Sequence, residues 1–137
     1  MVRVYKNGWF QRFARKEKIS DASLCEAVER ASKGLIDADL GGGLIKQRVA
    51  RPGSGRSSGY RTLVFFKEGD RAVFAYGFAK NNQDNLDEDD ERDLKKSAKL
   101  TLGFTQAEID RLVERGTLTE VNCDDEGEDR ATENLPK

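Results

Sequence analysis

Residues 46–61, KQRVARPGSGRSSGYR, carry five positively charged side chains and no acid, in a chain whose net charge is only −1. The five are Lys46, Arg48, Arg51, Arg56 and Arg61. Clustered cations can neutralise the phosphates of a nucleic acid, and they can stabilise the charge that develops when a phosphodiester is attacked. Because the segment is also rich in Gly and Ser, a nucleotide-phosphate loop and a solvated hairpin compete with a nucleic-acid surface as interpretations.

The glycines of this segment fit neither of the common phosphate-binding loops. A P-loop has four residues between its glycines, then Lys and Ser or Thr, whereas the dinucleotide fingerprint is Gly-x-Gly-x-x-Gly. Here Gly53, Gly55 and Gly59 are spaced Gly-x-Gly-x-x-x-Gly, and a β-prone run follows them. Both loops need a helix N-terminus to meet the phosphate, so the pattern disfavours nucleotide binding.

Three of the cations fall on predicted strands rather than in the loop. In LIKQRVA, Lys46 and Arg48 alternate with Ile45 and Val49, so the two cations share one face of the strand. Arg61 begins the next β-prone run, GYRTLVFF. If these strands pair, three cations converge on one sheet surface, which suits a phosphodiester backbone.

Neighbouring residues would extend this surface. Tyr60 and Tyr76 offer aromatic rings on which bases can stack, and Lys80 ends the following strand as a fourth cation. Arg51 and Arg56 lie in the Gly/Ser-rich loop, where we expect them to attract and steer a polyanion rather than hold it in one geometry. These residues predict a nucleic-acid-binding surface, and a solvated loop between two strands is the alternative.

Composition excludes several classes of site. The chain has no His, which removes Ser-His-Asp triads, His-based metal sites and histidine acid–base pairs. Cys25 and Cys123 are too few for a disulfide framework or a zinc site, and Cys25 falls in a helical pattern as an expected core thiol. Without a signal-peptide pattern or an apolar run of ~20 residues, we expect a cytoplasmic protein with no membrane contact, metal or cofactor.

The charges are divided unevenly along the 137 residues. Residues 1–83 hold 16 Lys and Arg against 8 Asp and Glu, whereas residues 84–137 hold 8 against 17. A basic body followed by an acidic end indicates a polyanion-binding surface. We expect one domain at residues 1–116 and an acidic, mobile tail at residues 117–137, where the composition is poor in apolar groups.

The remaining patterns predict an α+β fold. An opening strand, VRVY, precedes two helices, GWFQRFARKEK and SDASLCEAVERASKG, and Ser23 with Glu26 fits a capping box of the second. Four strands follow in LIDADL, LIKQRVA, GYRTLVFF and RAVFAYGFA, of which the last two are apolar on both faces and should be central. Two C-terminal helices come next, the second capped by Thr105 and Glu108. This order predicts a mostly antiparallel sheet with helices packed on it.

The ordered motifs carry a family resemblance. The chain has KQR on one strand, GYR opening the next and FAKN ending the one after, within DADLGGGLIKQRVARPGSGRSSGYRTLVFF and AVFAYGFAKNN. Over roughly residues 2–116 this set resembles the RelE/HigB-type toxins of bacterial type II toxin–antitoxin pairs, in the RelE/ParE superfamily. The resemblance implies a curved sheet flanked by helices. It also implies a metal-independent endoribonuclease that cuts messenger RNA, often in the ribosomal A site, and is neutralised by a cognate antitoxin.

The same resemblance implies roles for individual residues. Such enzymes direct a ribose 2′-OH against the adjacent phosphorus, without a histidine pair. Lys46 and Arg48 match the family's paired strand cations, and Arg61 matches the arginine of its GYR. Lys46 would then transfer a proton, Arg61 would stabilise the phosphate, and Arg48 would share either role. Lys80 keeps the lysine that follows the last strand.

One segment departs from the family pattern. Where well-studied relatives supply an arginine and then a tyrosine after the last strand, this chain reads KNNQDNLDEDD, with Asn81 and acids. The identity of the general base is therefore open, and Tyr76 is a candidate substitute. Two other functions stay open on the same fold: a ParE-type toxin that inhibits DNA gyrase without cutting RNA, and a non-toxic nucleic-acid-binding module.

Overall fold

The computed structural model describes residues 2–51, 59–79 and 86–123. Within them the chain forms strands and helices in the order β1-α1-α2-β2-β3-β4-β5-α3-α4-β6. The strands are β1 (Arg3–Asn7), β2 (Ala38–Gly41), β3 (Leu44–Val49), β4 (Tyr60–Lys67), β5 (Arg71–Ala79) and β6 (Leu118–Val121). The helices are α1 (Gly8–Glu17), α2 (Asp21–Ser32), α3 (Glu88–Gly103) and α4 (Gln106–Glu114). None of these four helices is long and apolar enough to span a membrane.

All six strands belong to one sheet, in the order β2-β3-β4-β5-β1-β6. Strand β1 runs parallel to β5, and the other neighbouring strands are antiparallel. The hairpin β4–β5 occupies the middle of the sheet, as its apolar residues on both faces predict. The predicted α+β class with a mostly antiparallel sheet is confirmed.

The sheet separates two apolar cores. One core joins the sheet to α1 and α2, and it contains Phe10, Leu24, Ile45, Val49, Tyr60, Val64 and Phe74. The other joins the sheet to α3 and α4, and it contains Leu44, Leu63, Phe65, Val73, Ala98 and Ile109. Each fully buried apolar side chain contributes about 1.5–3 kcal/mol, so both faces of the central strands are fixed by helices.

The helix ends show which capping patterns the chain uses. Helix α4 begins with the predicted capping box, in which Thr105 accepts from the Glu108 backbone N–H and Glu108 accepts from that of Thr105. Helix α2 begins one turn earlier than the sequence suggests. Its N-cap is Ser20, whose hydroxyl accepts from the Ser23 backbone N–H, so the expected box at Ser23 is wrong. A favourable N-cap typically contributes about 1 kcal/mol.

The two cysteines form a disulfide, so the expectation that Cys25 is a core thiol is wrong. Cys25 of α2 is bonded to Cys123, with 5.6 Å between the two Cα atoms and a sequence separation of 98. The pairing has no local sequence signal. It depends on β6, which leads the chain back past the start of β1 and so brings Cys123 beside α2.

Strand β6 lies inside the segment that the sequence predicts as tail. It pairs antiparallel with β1, with Asn7 opposite Leu118 and Val4 opposite Val121. Leu118 is buried in the core under α3 and α4, and Val121 is buried in the core under α1 and α2. The structure therefore extends the packed domain through Cys123, and residues 124–137 lie outside the described residues.

Two truncated chains test this boundary. A chain ending at Cys123 keeps every described element, so we expect its free energy of unfolding to match that of the full chain. A chain ending at Gly116 loses β6, two buried side chains and the disulfide. A disulfide contributes about 2–4 kcal/mol and each buried side chain about 1.5–3 kcal/mol, so its stability should fall by about 5 kcal/mol or more.

Urea unfolding followed by far-UV circular dichroism measures both chains. A Cys123→Ser variant of the full chain is the control that removes the disulfide alone, and it should lie between the two. Equal stability of both truncated chains would show that β6 contributes nothing to the fold.

Candidate nucleic-acid interface

The pairing of β3 with β4 brings the three strand cations together, as the sequence predicts. Arg48 stands directly opposite Arg61, and Lys46 stands opposite Leu63. Lys46 and Arg48 follow Leu44 at steps of two, and Leu44 and Leu63 both belong to the core under α3 and α4. All three cations therefore lie on that face of the sheet. We call Lys46, Arg48 and Arg61 the cationic face.

The helices cover only part of this side of the sheet. Along β3, the buried Leu44 is followed by the half-buried Lys46 and the exposed Arg48. Arg61 on the neighbouring strand is half-buried. Among the described residues, exposure therefore increases along this face of β3 from Leu44 to Arg48.

The direct pairing of Arg48 with Arg61 is electrostatically unfavourable. Directly opposite residues of an antiparallel pair have Cβ atoms about 4.5–5.5 Å apart, and like charges there are destabilising. Within the described parts of the chain, neither guanidinium makes a hydrogen bond or an ion pair with an acid. Two guanidinium groups that face each other without an acidic side-chain partner are suited to bind a polyanion.

The backbone that carries Arg48 is held by residues that the sequence analysis did not single out. The Asp37 carboxylate accepts from the Arg48 backbone N–H at 2.7 Å, and the Arg30 guanidinium donates to the Arg48 carbonyl oxygen. Arg30 and Asp37 also form an ion pair at 3.5 Å. The Arg48 side chain thus projects from a strand whose position is fixed from the α2 side.

Gln47, between the two cations of β3, anchors the strand to its neighbours. Its side chain is buried, and its amide donates to the Ala27 carbonyl of α2 at 2.9 Å while accepting from the Asp37 backbone N–H at 2.8 Å. The Thr62 hydroxyl donates to the Gln47 carbonyl at 2.9 Å. Gly59 adds a steric requirement, because a Cβ there would lie 2.1 Å from the Val49 carbonyl oxygen. The three cations therefore lie on a pair of strands that is held rigidly.

Tyr76 lies beside the cationic face, on the same side of the sheet. It pairs with Leu63, so Lys46, Leu63 and Tyr76 form one row across three strands. Its side chain is half-buried and packs against the core under α3 and α4. Its ring centroid lies 4.5 Å from that of Trp9.

Tyr60 and Arg51 lie elsewhere. Tyr60 is 2% exposed on the opposite face of the sheet, where its hydroxyl donates to the Glu17 carboxylate at 2.9 Å. Burial raises the pKa of Tyr60; the nearby Arg51 partly offsets this, and Glu17 adds to it. The Arg51 guanidinium lies 5.3 Å from the centroid of the Tyr60 ring. The structure therefore does not bring these two residues to the cationic face.

Two further predicted site residues, Arg56 and Lys80, lie outside the described residues. Within the described ranges, no group of three or more Cys, Asp or Glu side chains is placed to hold a metal ion. The chemistry that the described side chains offer is cationic: binding of phosphate groups and stabilisation of added negative charge.

A family model agrees with this architecture. The model described as the RelE toxin of the RelE/RelB toxin–antitoxin system matches residues 2–121, which is most of the chain and includes all six strands. The chain belongs to the RelE toxin family. A search of curated proteins finds no match to it.

Membership makes this RelE-family toxin one half of a toxin–antitoxin pair, so an antitoxin is its partner. The match also includes β6, which the resemblance to residues 2–116 left out. The sequence alone could have shown that Tyr60 and Arg61 lie on different faces, since adjacent residues of a strand point to opposite faces of the sheet. No comparable signal marks Arg30, Asp37 or Gln47, whose contacts depend on the packing of α2 against β3.

Replacing Tyr60 by Phe tests its placement. The variant keeps the ring but loses the hydrogen bond to Glu17, so we expect the free energy of unfolding to fall by about 1–2 kcal/mol. The affinity for a single-stranded oligonucleotide, measured by fluorescence anisotropy, should stay within about 2-fold of the wild-type value. Loss of a stacked base would lower it much further. Weaker binding with unchanged stability would place the Tyr60 hydroxyl at the nucleic acid instead.

The raised pKa of Tyr60 predicts a pH dependence of stability. The folded state holds the phenolic proton more tightly than the unfolded state, whose Tyr pKa is near ~10. The stabilisation is therefore complete below pH ~10 and is lost as pH rises through the folded value. We expect the free energy of unfolding, measured with urea between roughly pH 9 and pH 11, to fall more steeply with pH for wild type than for Tyr60→Phe. Parallel pH curves would contradict this.

Proposed function

We propose that this RelE-family toxin is an endoribonuclease that cleaves messenger RNA by attack of a ribose 2′-OH on the adjacent phosphorus. The observation that supports the proposal is the pairing of Arg48 with Arg61 beside Lys46, where the Arg48 side chain is exposed and the other two are half-buried. Arg48 and Arg61 make no ion pair with an acid among the described residues, and two such guanidinium groups facing each other favour a phosphodiester that passes through an added negative charge.

The reaction needs three functions from the site. A base takes the proton of the 2′-OH as its oxygen bonds to phosphorus, and cations stabilise the resulting phosphorane. An acid then protonates the departing 5′-oxygen as the P–O5′ bond breaks. The products are a 2′,3′-cyclic phosphate on one fragment and a free 5′-OH on the other, and no redox partner or external nucleophile is consumed.

The chemistry of each side chain of the cationic face decides which of these functions it can serve. A guanidinium stays protonated under all ordinary conditions, so Arg61 and Arg48 can donate to phosphate oxygens but cannot accept a proton. Of the two roles that the resemblance left open for Arg48, we therefore assign it phosphate stabilisation. Lys46 carries an amine, which can exchange a proton, and we assign proton transfer to it. The rigid β3–β4 pair supports Arg48 and Arg61 in a fixed relation to each other, which electrostatic catalysis requires.

The partners follow from the same proposal. Messenger RNA, bound on the ribosome as for HigB-type enzymes, is the proposed substrate. The cytoplasm is the proposed location, although a disulfide such as Cys25–Cys123 is rare in that compartment. The excess of basic residues over acidic ones in residues 1–83 supports attraction to RNA. The antitoxin would silence the enzyme by covering or distorting the cationic face.

Replacing Arg61 by Ala should reduce RNA cleavage by about 10²-fold or more, because the loss of one preorganised donor to a developing oxyanion typically has that effect. Arg48→Ala should have an effect of similar size, since the two guanidinium groups face each other. The measurement is the rate of appearance of 5′-OH ends in RNA, mapped after induction of the toxin and in a ribosome-containing reaction.

The matched control is Lys67→Ala. Lys67 ends the same strand as Arg61, six residues further on, and its exposed side chain pairs with Asp70. Its removal changes the net charge equally, so cleavage should stay near the wild-type rate. A folded Arg61→Ala variant that still cuts RNA like wild type would refute the assignment. Growth arrest without any RNA cleavage by wild type would favour a gyrase-directed toxin.

A further inference from the structure

Trp9 occupies an unusual position beside the cationic face. Helix α1 starts directly after β1, and the Asn7 side chain both caps the helix and donates to the Ala75 carbonyl of β5 at 3.1 Å. This contact fixes the first turn of α1 at the edge of β5, where Trp9 meets Tyr76. Trp9 nevertheless stays 37% exposed, although it is the largest apolar side chain in the chain.

The Trp9 ring connects the interior to Tyr76. Its centroid lies 5.1 Å from that of Phe13, with an angle of 21° between the planes, and 4.5 Å from that of Tyr76. Phe13 in turn contacts the buried rings of Phe10 and Tyr60. The stack is thus anchored in the core, which leaves Trp9 and Tyr76 little freedom to rearrange when a ligand arrives.

A purely structural role for Trp9 would be to cover the edge of β5 beyond the end of β1. That role does not explain the position of its partner ring. Tyr76 lies on the face that carries the cations, in one row with Lys46 and separated from it only by Leu63. Two strand spacings of about 4.8 Å put the lysine and tyrosine positions about 10 Å apart. A short stretch of single-stranded RNA spans such a distance.

We propose that Tyr76, supported from behind by Trp9, forms a stacking subsite for a base of the single-stranded RNA whose phosphates lie on the cationic face. The inference rests on the proposed function, because it takes RNA as the ligand of that face. Aromatic rings beside cations are how single strands are held, with the backbone on the charges and the bases on the rings. A duplex would not fit, since its bases are stacked on each other.

Trp9 is the only tryptophan of the chain, so its fluorescence reports on this subsite alone. The probe is a single-stranded 2′-deoxy oligonucleotide, which lacks the attacking hydroxyl and therefore stays uncut. Titration into the full-length toxin should change the Trp9 emission. The control is an oligonucleotide of equal length and charge with abasic sites, which should bind more weakly and leave the emission nearly unchanged.

Variants separate stacking from folding. Trp9→Ala removes the ring that supports Tyr76 and should weaken binding of the 2′-deoxy oligonucleotide by about 5-fold or more, within the range of about 5- to 100-fold expected for the loss of one stacked base. Trp9→Phe keeps an aromatic ring and should stay within about 3-fold of wild type, a small part of that range. Binding is followed by anisotropy of a labelled oligonucleotide, and thermal unfolding confirms that each variant is folded.

The salt dependence of affinity distinguishes the subsite from the cations. Trp9→Ala removes no phosphate contact, so the slope of log affinity against log salt should equal that of wild type, whereas Arg61→Ala should reduce the slope by about 1. A folded Trp9→Ala variant with wild-type affinity, or an emission change produced by the antitoxin but not by the oligonucleotide, would overturn the inference. Base-dependent binding without any RNA cleavage would uphold the subsite while refuting the endoribonuclease.

Discussion

Strand β3 pairs with β4 along its whole length in a single register. This register sets Arg48 opposite Arg61 and at the same time directs Ile45 and Val49 into one core and Leu44 into the other. A shift by one residue would turn each of these side chains to the wrong face. The two cores thus hold in place a pairing of like charges that electrostatics alone would oppose.

The polar contacts of Gln47 and Thr62 show how this register is secured where the apolar packing ends. Buried amide and hydroxyl groups must be hydrogen-bonded, and these find their partners in only one arrangement of α2, β3 and β4. Removing either partner would leave a buried polar group unsatisfied, at a cost of about 1–3 kcal/mol. The cationic face is therefore held in place by residues on the opposite side of the sheet, which a ligand need not contact.

The features of the fold that leave a local pattern in the sequence were predicted. The apolar residues on both faces of GYRTLVFF and RAVFAYGFA identified the central strands, and the spacing of Lys46, Arg48 and Arg61 identified the cationic face. Contacts between distant segments carry no such pattern. The bond between Cys25 and Cys123 and the contact of Trp9 with Tyr76 both depend on β1 lying beside β5 and β6. The acidic composition around β6 further concealed a strand of only four residues.

The place of β1 in the sheet has a consequence for biosynthesis. This strand is made first, yet its two neighbours, β5 and β6, are made last, and β6 begins only at Leu118. At roughly 5–20 residues per second, a nascent chain waits on the order of 10 s before β1 has both neighbours. Helix α1 follows β1 and carries Trp9, which can meet Tyr76 only after β5 has been made. The topology thereby delays completion of the six-stranded sheet until the ribosome has made nearly all of the domain.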